Sequence, residues 1–268
     1  MSVQLLEQVQ ALVEQVGEYQ RQQFRQLPPG AGAEKQCREF VSEVDLHSEK
    51  ILLEGLSQFL PQAGFYGEET GRSGNTELFW VVDPLDGTTN FLSGLDQFSI
   101  SVALVDTKGT RLGLVYRPQS RECYRAQRGQ GFFYNGEKQG KANPSFNLSQ
   151  ALIGTGFPYR SEDLASAFFP CAEAVLYRCR GIRRMGSAAL DLCYVASGFL
   201  QGFWETDLQP YDVAATLLFL QESGCPVSND RGQPYNMTED RLLVCGWPQV
   251  HEQLSEIVRE HYQPLLKR

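Results

Sequence analysis

Leu5, Val9, Leu12, Val16 and Tyr19 recur every three or four residues, a spacing that lays one apolar stripe along a helix. The pattern fades in the Pro/Gly stretch LPPGAGAEK. It resumes from about Asp45 to Leu60, with Ile51, Leu52, Leu56 and Phe59 on one face, until Pro61 stops it. The period then shortens. LFWVVD, FSISVALV, LGLVYRP, ECYRAQ and GFFYNG are short β-rich segments separated by Gly, Pro, DTKG and NG turns. Consecutive strands on short links predict an antiparallel sheet in the first half.

After the polar stretch EKQGKANPSFNLSQ the pattern alternates. ALIGTG reads as a strand, about Asp163 to Leu176 as a helix, GIRRMG as a strand and SAALDLCYVASG as a helix. GFWET reads as a strand, YDVAATLLFLQESG as a helix and RLLVCG as a strand before a final helix. Strand–helix alternation predicts a parallel or mixed sheet flanked by helices. The expectation is an α/β (α+β) chain in two halves, 1–142 and 143–268, forming one compact unit with a seam near residues 138–150.

Composition narrows the function classes. The 268 residues, 42% hydrophobic, suffice for one large core or two smaller ones. The net charge of −8, with no Lys/Arg-rich window, argues against nucleic acid as the main partner. Seven cysteines without a CxxC predict reduced thiols in a cytoplasmic protein, and Cys193, in an apolar helical run, reads as a core thiol. Glu7 and Glu14 interrupt the opening segment, which has no basic start, so it does not read as a signal peptide. No apolar run approaches the roughly 20 residues that cross a bilayer, so no membrane association is expected. The three histidines have no His or Cys partner at zinc-ligand spacing, which disfavours zinc and phosphohistidine chemistry.

Carboxylates gather at strand–helix junctions instead: Asp45 in VSEVD, Glu68 and Glu69 in FYGEETG, Asp83 and Asp86 in WVVDPLDGTTNF, and Glu205 and Asp212 in WETDLQPYD. Asp45 and Asp212 read equally as helix N-caps, and Glu68 and Glu69 as a solvated turn. Asp83 and Asp86 are harder to dismiss. Two acids at the end of a buried strand repel as they lose solvent, and a hard cation such as Mg²⁺ removes that cost. The Leu85 carbonyl between them offers a further oxygen. If a helix begins at Asp86, the amides of Gly87, Thr88 and Thr89 lie at its positive end, an arrangement that binds phosphate.

DPLDGTTNF, with GEE upstream and WETDLQPYDVAA downstream, resembles the inositol monophosphatase family of Mg²⁺-dependent, lithium-sensitive phosphatases. VSEVD, GLVYRPQSRECYRAQRGQGFFYNG and RRMGSAALDLCYVASG extend the resemblance over nearly the whole chain. The resemblance implies a layered α-β-α-β-α sandwich, a homodimer, two to three Mg²⁺ ions and hydrolysis of a small polyol or sugar phosphate by an activated water. It places one ion on Glu68, Asp83 and the Leu85 carbonyl, a second on Asp83, Asp86 and Asp212, and a looser third on Glu68. By the same resemblance Thr88 and Asp45 orient the attacking water, with Glu68 in the catalytic set, and the Gly87 and Thr88 amides grip the phosphate. Gly186, Ser187, Ala188 and Glu205 form the wall against the alcohol portion.

The segment after TTNF, LSGLDQFSISVAL, lacks the His and Pro frequent in members that act on inositol phosphates. Histidinol-phosphate phosphatase and fructose-1,6-bisphosphatase-type activities therefore stand as alternatives on the same fold, and a non-catalytic binding role stands as an alternative of another class. Arg183 and Arg184 read as a substrate or subunit contact or as a solvated strand end. Trp204 and Tyr211 read as ring-stacking or as core aromatics.

Overall fold

The amphipathic stripes and apolar strands assemble into five layers in a computed structural model, which describes residues 3–27, 32–36 and 39–266. Residues 28–31 of the Pro/Gly stretch and Cys37 lie outside the described residues. The first stripe forms α1 (Val3–Gln23), and a hairpin of β1 (Ala33–Gln36) and β2 (Glu39–Val41) leads to α2 (Glu43–Phe59). Then come β3 (Gly64–Gly67), β4 (Gly71–Ser73), β5 (Leu78–Asp86) and the short α3 (Thr88–Leu92). A meander follows: β6 (Ser99–Asp106), β7 (Gly109–Arg117), β8 (Glu122–Gln127), β9 (Gly131–Tyr134) and β10 (Glu137–Lys138).

These strands form an eight-stranded sheet in the order β10-β9-β8-β7-β6-β5-β3-β4. It is antiparallel, as the short links require, except for one parallel pair, β3 with β5. That pair was not legible as such, because GFYG is too short to show a period.

The second half runs β11 (Leu152–Thr155), α4 (Ala165–Leu176), β12 (Gly181–Arg183), α5 (Ala188–Ser197), β13 (Gly202–Thr206), α6 (Pro210–Ser223), β14 (Val227–Ser228), β15 (Leu242–Gly246) and α7 (Pro248–Leu266). Its five strands order as β12-β11-β13-β15-β14, parallel among the first three and antiparallel beyond, the mixed sheet that alternation predicts.

The pleat of β5 shows how the layers stack. Trp80 and Val82 point into an apolar core with Leu5, Val9, Val13 and Leu52 of α1 and α2. Val81, between them, points the other way, into a core with Val213 and Phe219 of α6 and Leu192 of α5. Phe203 and Cys245 of the second sheet join that central core. The opposite face of the second sheet, carrying Ile153, Trp204 and Val244, packs on Phe168 of α4 and Val250 and Leu254 of α7. The order α1/α2, sheet, α5/α6, sheet, α4/α7 is the expected α-β-α-β-α sandwich. Six described cysteines are free, and five of these, Cys193 among them, are buried.

Candidate metal and phosphate site

The site begins with an irregularity in β5. Asp83 pairs with Ser101 of β6 and Asp86 with Ser99, so three steps on one strand oppose two on the other. In a regular strand, residues three apart face opposite sides. The bulge at Pro84–Leu85 cancels that alternation, and proline sits there without forfeiting a ladder hydrogen bond. Asp83 and Asp86 therefore converge, and Asp212 meets them from α6: one oxygen from each lies within 4.8 Å of the others, and all three are buried. Glu68, at the end of β3 beside β5, has its carboxyl in hydrogen-bonding contact with that of Asp83.

Asp45 and Asp212 arrive by the same local device. The sequence allowed each as an N-cap; both instead occupy the third helical position of a capping box. Ser42 caps α2, and its backbone N–H and hydroxyl donate to Asp45 Oδ2 at 2.9 and 2.5 Å. The other oxygen, Oδ1, accepts from Thr88 Oγ1 at 2.7 Å. Gln209 caps α6, its N–H donating to Asp212 Oδ2 at 2.7 Å, and Pro210 follows. Local helix chemistry fixes one oxygen of each acid, and the aim of the other follows from the fold.

Asp86 is gripped by the start of α5. Its Oδ2 accepts from Ser187 Oγ at 2.5 Å and from the Ala189 amide at 2.8 Å. Ser187, expected on the alcohol wall, thus has its hydroxyl engaged with Asp86, while Gly186 and Ala188 line the cavity beside it. Gly87 caps α3 with φ +96°, a left-handed conformation open to glycine, and a Cβ there would lie 2.9 Å from the Gln97 carbonyl oxygen. The helix starts at Thr88, two residues later than the sequence suggested, and Gly87, Thr88 and Thr89 line the cavity next to Asp86. Asn90, passed over in the sequence, ties this turn to the wall: its Nδ2 donates to the carbonyls of Gln97 at 2.7 Å and Met185 at 2.9 Å.

Glu68, Asp83, Asp86 and Asp212, the Gly87–Thr88 turn and the Gly186–Ala188 wall line one cavity of about 500 Å³, and Asp45, not itself a lining residue, reaches it through Thr88. Its electrostatics are those of crowded acids. Burial, then Glu68, Asp86 and Asp212, pushes Asp83 well above the usual carboxylate range. Burial and Asp212 raise Asp86 to about 7 against the opposing bonds from Ser187 and Ala189. Glu205 is raised to about 8, by burial first and then Asp212, with Arg184 and Arg160 pulling it down. Its carboxylate lies against Gly156, where a Cβ would stand 1.8 Å from Oε1, so a side chain there would displace it.

Arg160 and Asp191, which line the cavity, carried no signal in the sequence. Arg160 Nη1 pairs with Asp212 Oδ2 at 3.1 Å. Arg184 stands at the mouth, its guanidinium carbon 5.3 Å from the ring centres of both Phe157 and Tyr159. Arg183 is exposed and is not among the lining residues, so the pair divides between the two readings it allowed. Asp191 of α5 is buried in the wall. Trp204 is fully buried in the core under α4 and α7, and Tyr211 packs edge-on against Tyr66, as the core reading had it.

Among the described residues Asp83, Asp86 and Asp212 form a buried cluster of carboxylates that could hold a metal ion, beside the first turn of α3. The sequence profile of the inositol monophosphatase family matches residues 2–263, and the chain belongs to that family. It is similar to the inositol-1-monophosphatase of Rhizobium meliloti, with 40% identity over 224 residues, covering 82% of this chain and 83% of that protein. It is also similar to Nus factor SuhB of Escherichia coli K12, with 35% identity and 88% of each chain covered. Among solved structures, extragenic suppressor protein suhB from Bartonella henselae superposes with a TM-score of 0.87 at 31% identity, over 93% of this chain and 96% of that one.

Proposed function

We propose that the protein is a Mg²⁺-dependent phosphomonoesterase acting on a small polyol or sugar phosphate of the inositol 1-phosphate kind. The observation that carries this reading is the convergence of buried Asp83, Asp86 and Asp212 beside the Gly87–Thr88 turn. The donor set fits a hard divalent cation: oxygen ligands only, on acids whose affinity for protons is raised by burial and by one another's charge. Glu68, Asp83 and the Leu85 carbonyl would hold one Mg²⁺, and Asp83, Asp86 and Asp212 a second, with Glu68 available to a third.

Mg²⁺ bound there supplies Lewis acidity toward a water and toward the phosphate oxygens. The chain does the rest. Thr88 Oγ1, 2.7 Å from Asp45 Oδ1, holds a hydroxyl donor–acceptor pair through which a nucleophilic water can be oriented and its proton accepted. The Gly87 and Thr88 amides hold the phosphate by fixed dipoles, which need no reorganisation as charge develops. Gly186, Ala188 and Glu205 face the alcohol portion. We read 1–142 and 143–268 as two halves of one unit, since each contributes acids to the site.

Two-ion hydrolysis predicts release of inorganic phosphate from inositol 1-phosphate with Mg²⁺ and none with EDTA. Preference for histidinol phosphate or fructose 1,6-bisphosphate in the same assay would replace the substrate and keep the chemistry; no hydrolysis of any ester would sink the reading. A second reading rests on the relative named Nus factor SuhB: a binding role in which the same fold engages a macromolecule. The implied homodimer has a candidate face on α4, where Phe169, Leu176 and Tyr177 are 68%, 54% and 80% exposed. A monomeric mass in sedimentation would remove that assignment.

A further inference from the structure

The cavity wall contains an acid that neither the capping boxes nor the cation cluster employs. Asp191 lies in the first turn of α5, 2% exposed, and its Oδ1 has no hydrogen-bond partner among the described residues. A carboxyl taken out of water without a partner destabilises the fold by an amount that packing rarely offsets. Its neighbours on α5 are apolar and buried, so the chain places one costly group in an otherwise ordinary core helix.

Asp191 also differs in position from the four acids assigned to cations. The largest charge influence on it is Glu205, followed by Asp86, with Arg184 opposing them. Glu205 and Arg184 line the same cavity, on the side given to the alcohol portion of the ester. Ser187, the N-cap of α5, has its hydroxyl engaged with Asp86 and makes no hydrogen bond to Asp191 Oδ1. Asp191 lines the cavity on this side, so the partner its carboxyl lacks would be a donor on a bound substrate.

We propose that Asp191 is a specificity-determining residue that accepts a hydrogen bond from a donor group on the alcohol portion of the phosphate ester, next to the donor taken by Glu205. The proposal rests on the phosphatase reading for the placement of the phosphate. It deepens that reading by naming the substrate class: esters whose alcohol presents two neighbouring donors, either vicinal hydroxyls or an ammonium. An ester without donors leaves the Asp191 carboxyl without a partner and gains nothing from it. Arg184, held over Phe157 and Tyr159, stays close enough to moderate the charge of the acid pair.

The test compares inositol 1-phosphate, histidinol phosphate and phenyl phosphate, the last having no donor on its alcohol portion, in wild type, Asp191→Ala and Asp191→Asn. Wild type is expected to prefer one donor-bearing ester over phenyl phosphate, and which ester it prefers tells hydroxyl from ammonium. In Asp191→Ala that preference, as a ratio of kcat/KM values, is expected to fall about 10- to 100-fold, mostly through KM. Asp191→Asn keeps an acceptor of nearly the same shape, so it is expected to restore most of the preference for a hydroxyl ester and little of that for an ammonium ester.

Calorimetric binding of inositol 1-phosphate and of inorganic phosphate, with Ca²⁺ in place of Mg²⁺, reads the same contact without turnover. The ester is expected to lose affinity in Asp191→Ala by far more than inorganic phosphate does. Equal losses on all ligands, or an unchanged ratio, would overturn the proposal and leave Asp191 a structural acid. Absence of hydrolysis by wild type, with the binding difference intact, would instead overturn the phosphatase reading alone.

Discussion

Replacing Asp86 by asparagine is expected to abolish Mg²⁺-dependent phosphate release, by about 10³-fold or more, while the protein still folds. The oxygen set shows why the effect is large. Asp86 is the acid that joins the cation cluster to the amide-lined turn, with Gly87 following it directly and Oδ2 already held by Ser187 and Ala189. Both bonds fall on one oxygen, so asparagine can keep them through its amide oxygen, but it removes a charge that the proposed second ion needs. The same loss of charge relieves repulsion from Asp83 and Asp212, so in EDTA the variant is expected to melt no lower than wild type. Turnover undiminished in the variant would refute the assignment of the cation ligands; a collapsed melting curve would show instead that Asp86 is chiefly structural.

Thermal stability should depend on pH in opposite ways with and without the cation. In the metal-free protein Asp86 and Glu205 titrate near 7 and 8, above their ordinary values of 3.8 and 4.5, and Asp83 and Asp191 are raised as well. A carboxyl whose pKa is higher in the folded state binds protons there that the unfolded chain has released. Its stabilising contribution is therefore fully present below about pH 4 and is lost as pH rises through about 7 to 8. Between about pH 5 and pH 8 the melting temperature in EDTA is expected to fall, by something on the order of 5–10 °C. Excess Mg²⁺ binds the ionised acids of the folded state, so with it the curve is expected to flatten or rise over the same range. Parallel curves with and without Mg²⁺ would mean that the ion does not meet these carboxylates.

Asp83 and Asp86 were readable because their signal is local. An apolar strand running into DPLDG states its own end, and two acids there are electrostatically awkward whatever surrounds them. The central helices were equally plain from their apolar runs. Other features depend on contacts that no window of sequence contains. β3 shows no period because it spans four residues, and α3 shows none in five. The bulge that turns Asp83 and Asp86 to one side exists only through pairing with β6. Asp191 sits in an apolar helical run where an acid reads as an ordinary solvated position; only the packing of α5 against both sheets buries it at the cavity wall. Arg160 follows a strand in an unremarkable loop, and its pairing with Asp212 brings together residues 52 apart. Asp45 and Asp212 were singled out with the local role three places off, since a capping box and an N-cap place similar residues within one turn of each other.

The central claim is that one cavity holds divalent cations on its carboxylates and a phosphate on the Gly87–Thr88 amides. A crystal soaked with Ca²⁺ and inorganic phosphate tests both parts in one map. The account predicts ions coordinated by Asp83, Asp86 and Asp212 and by Glu68 with the Leu85 carbonyl, and a phosphate bridging them to the first turn of α3. Ions bound elsewhere while this cluster keeps its protons, or a phosphate seated away from the Gly87–Thr88 turn, would contradict it.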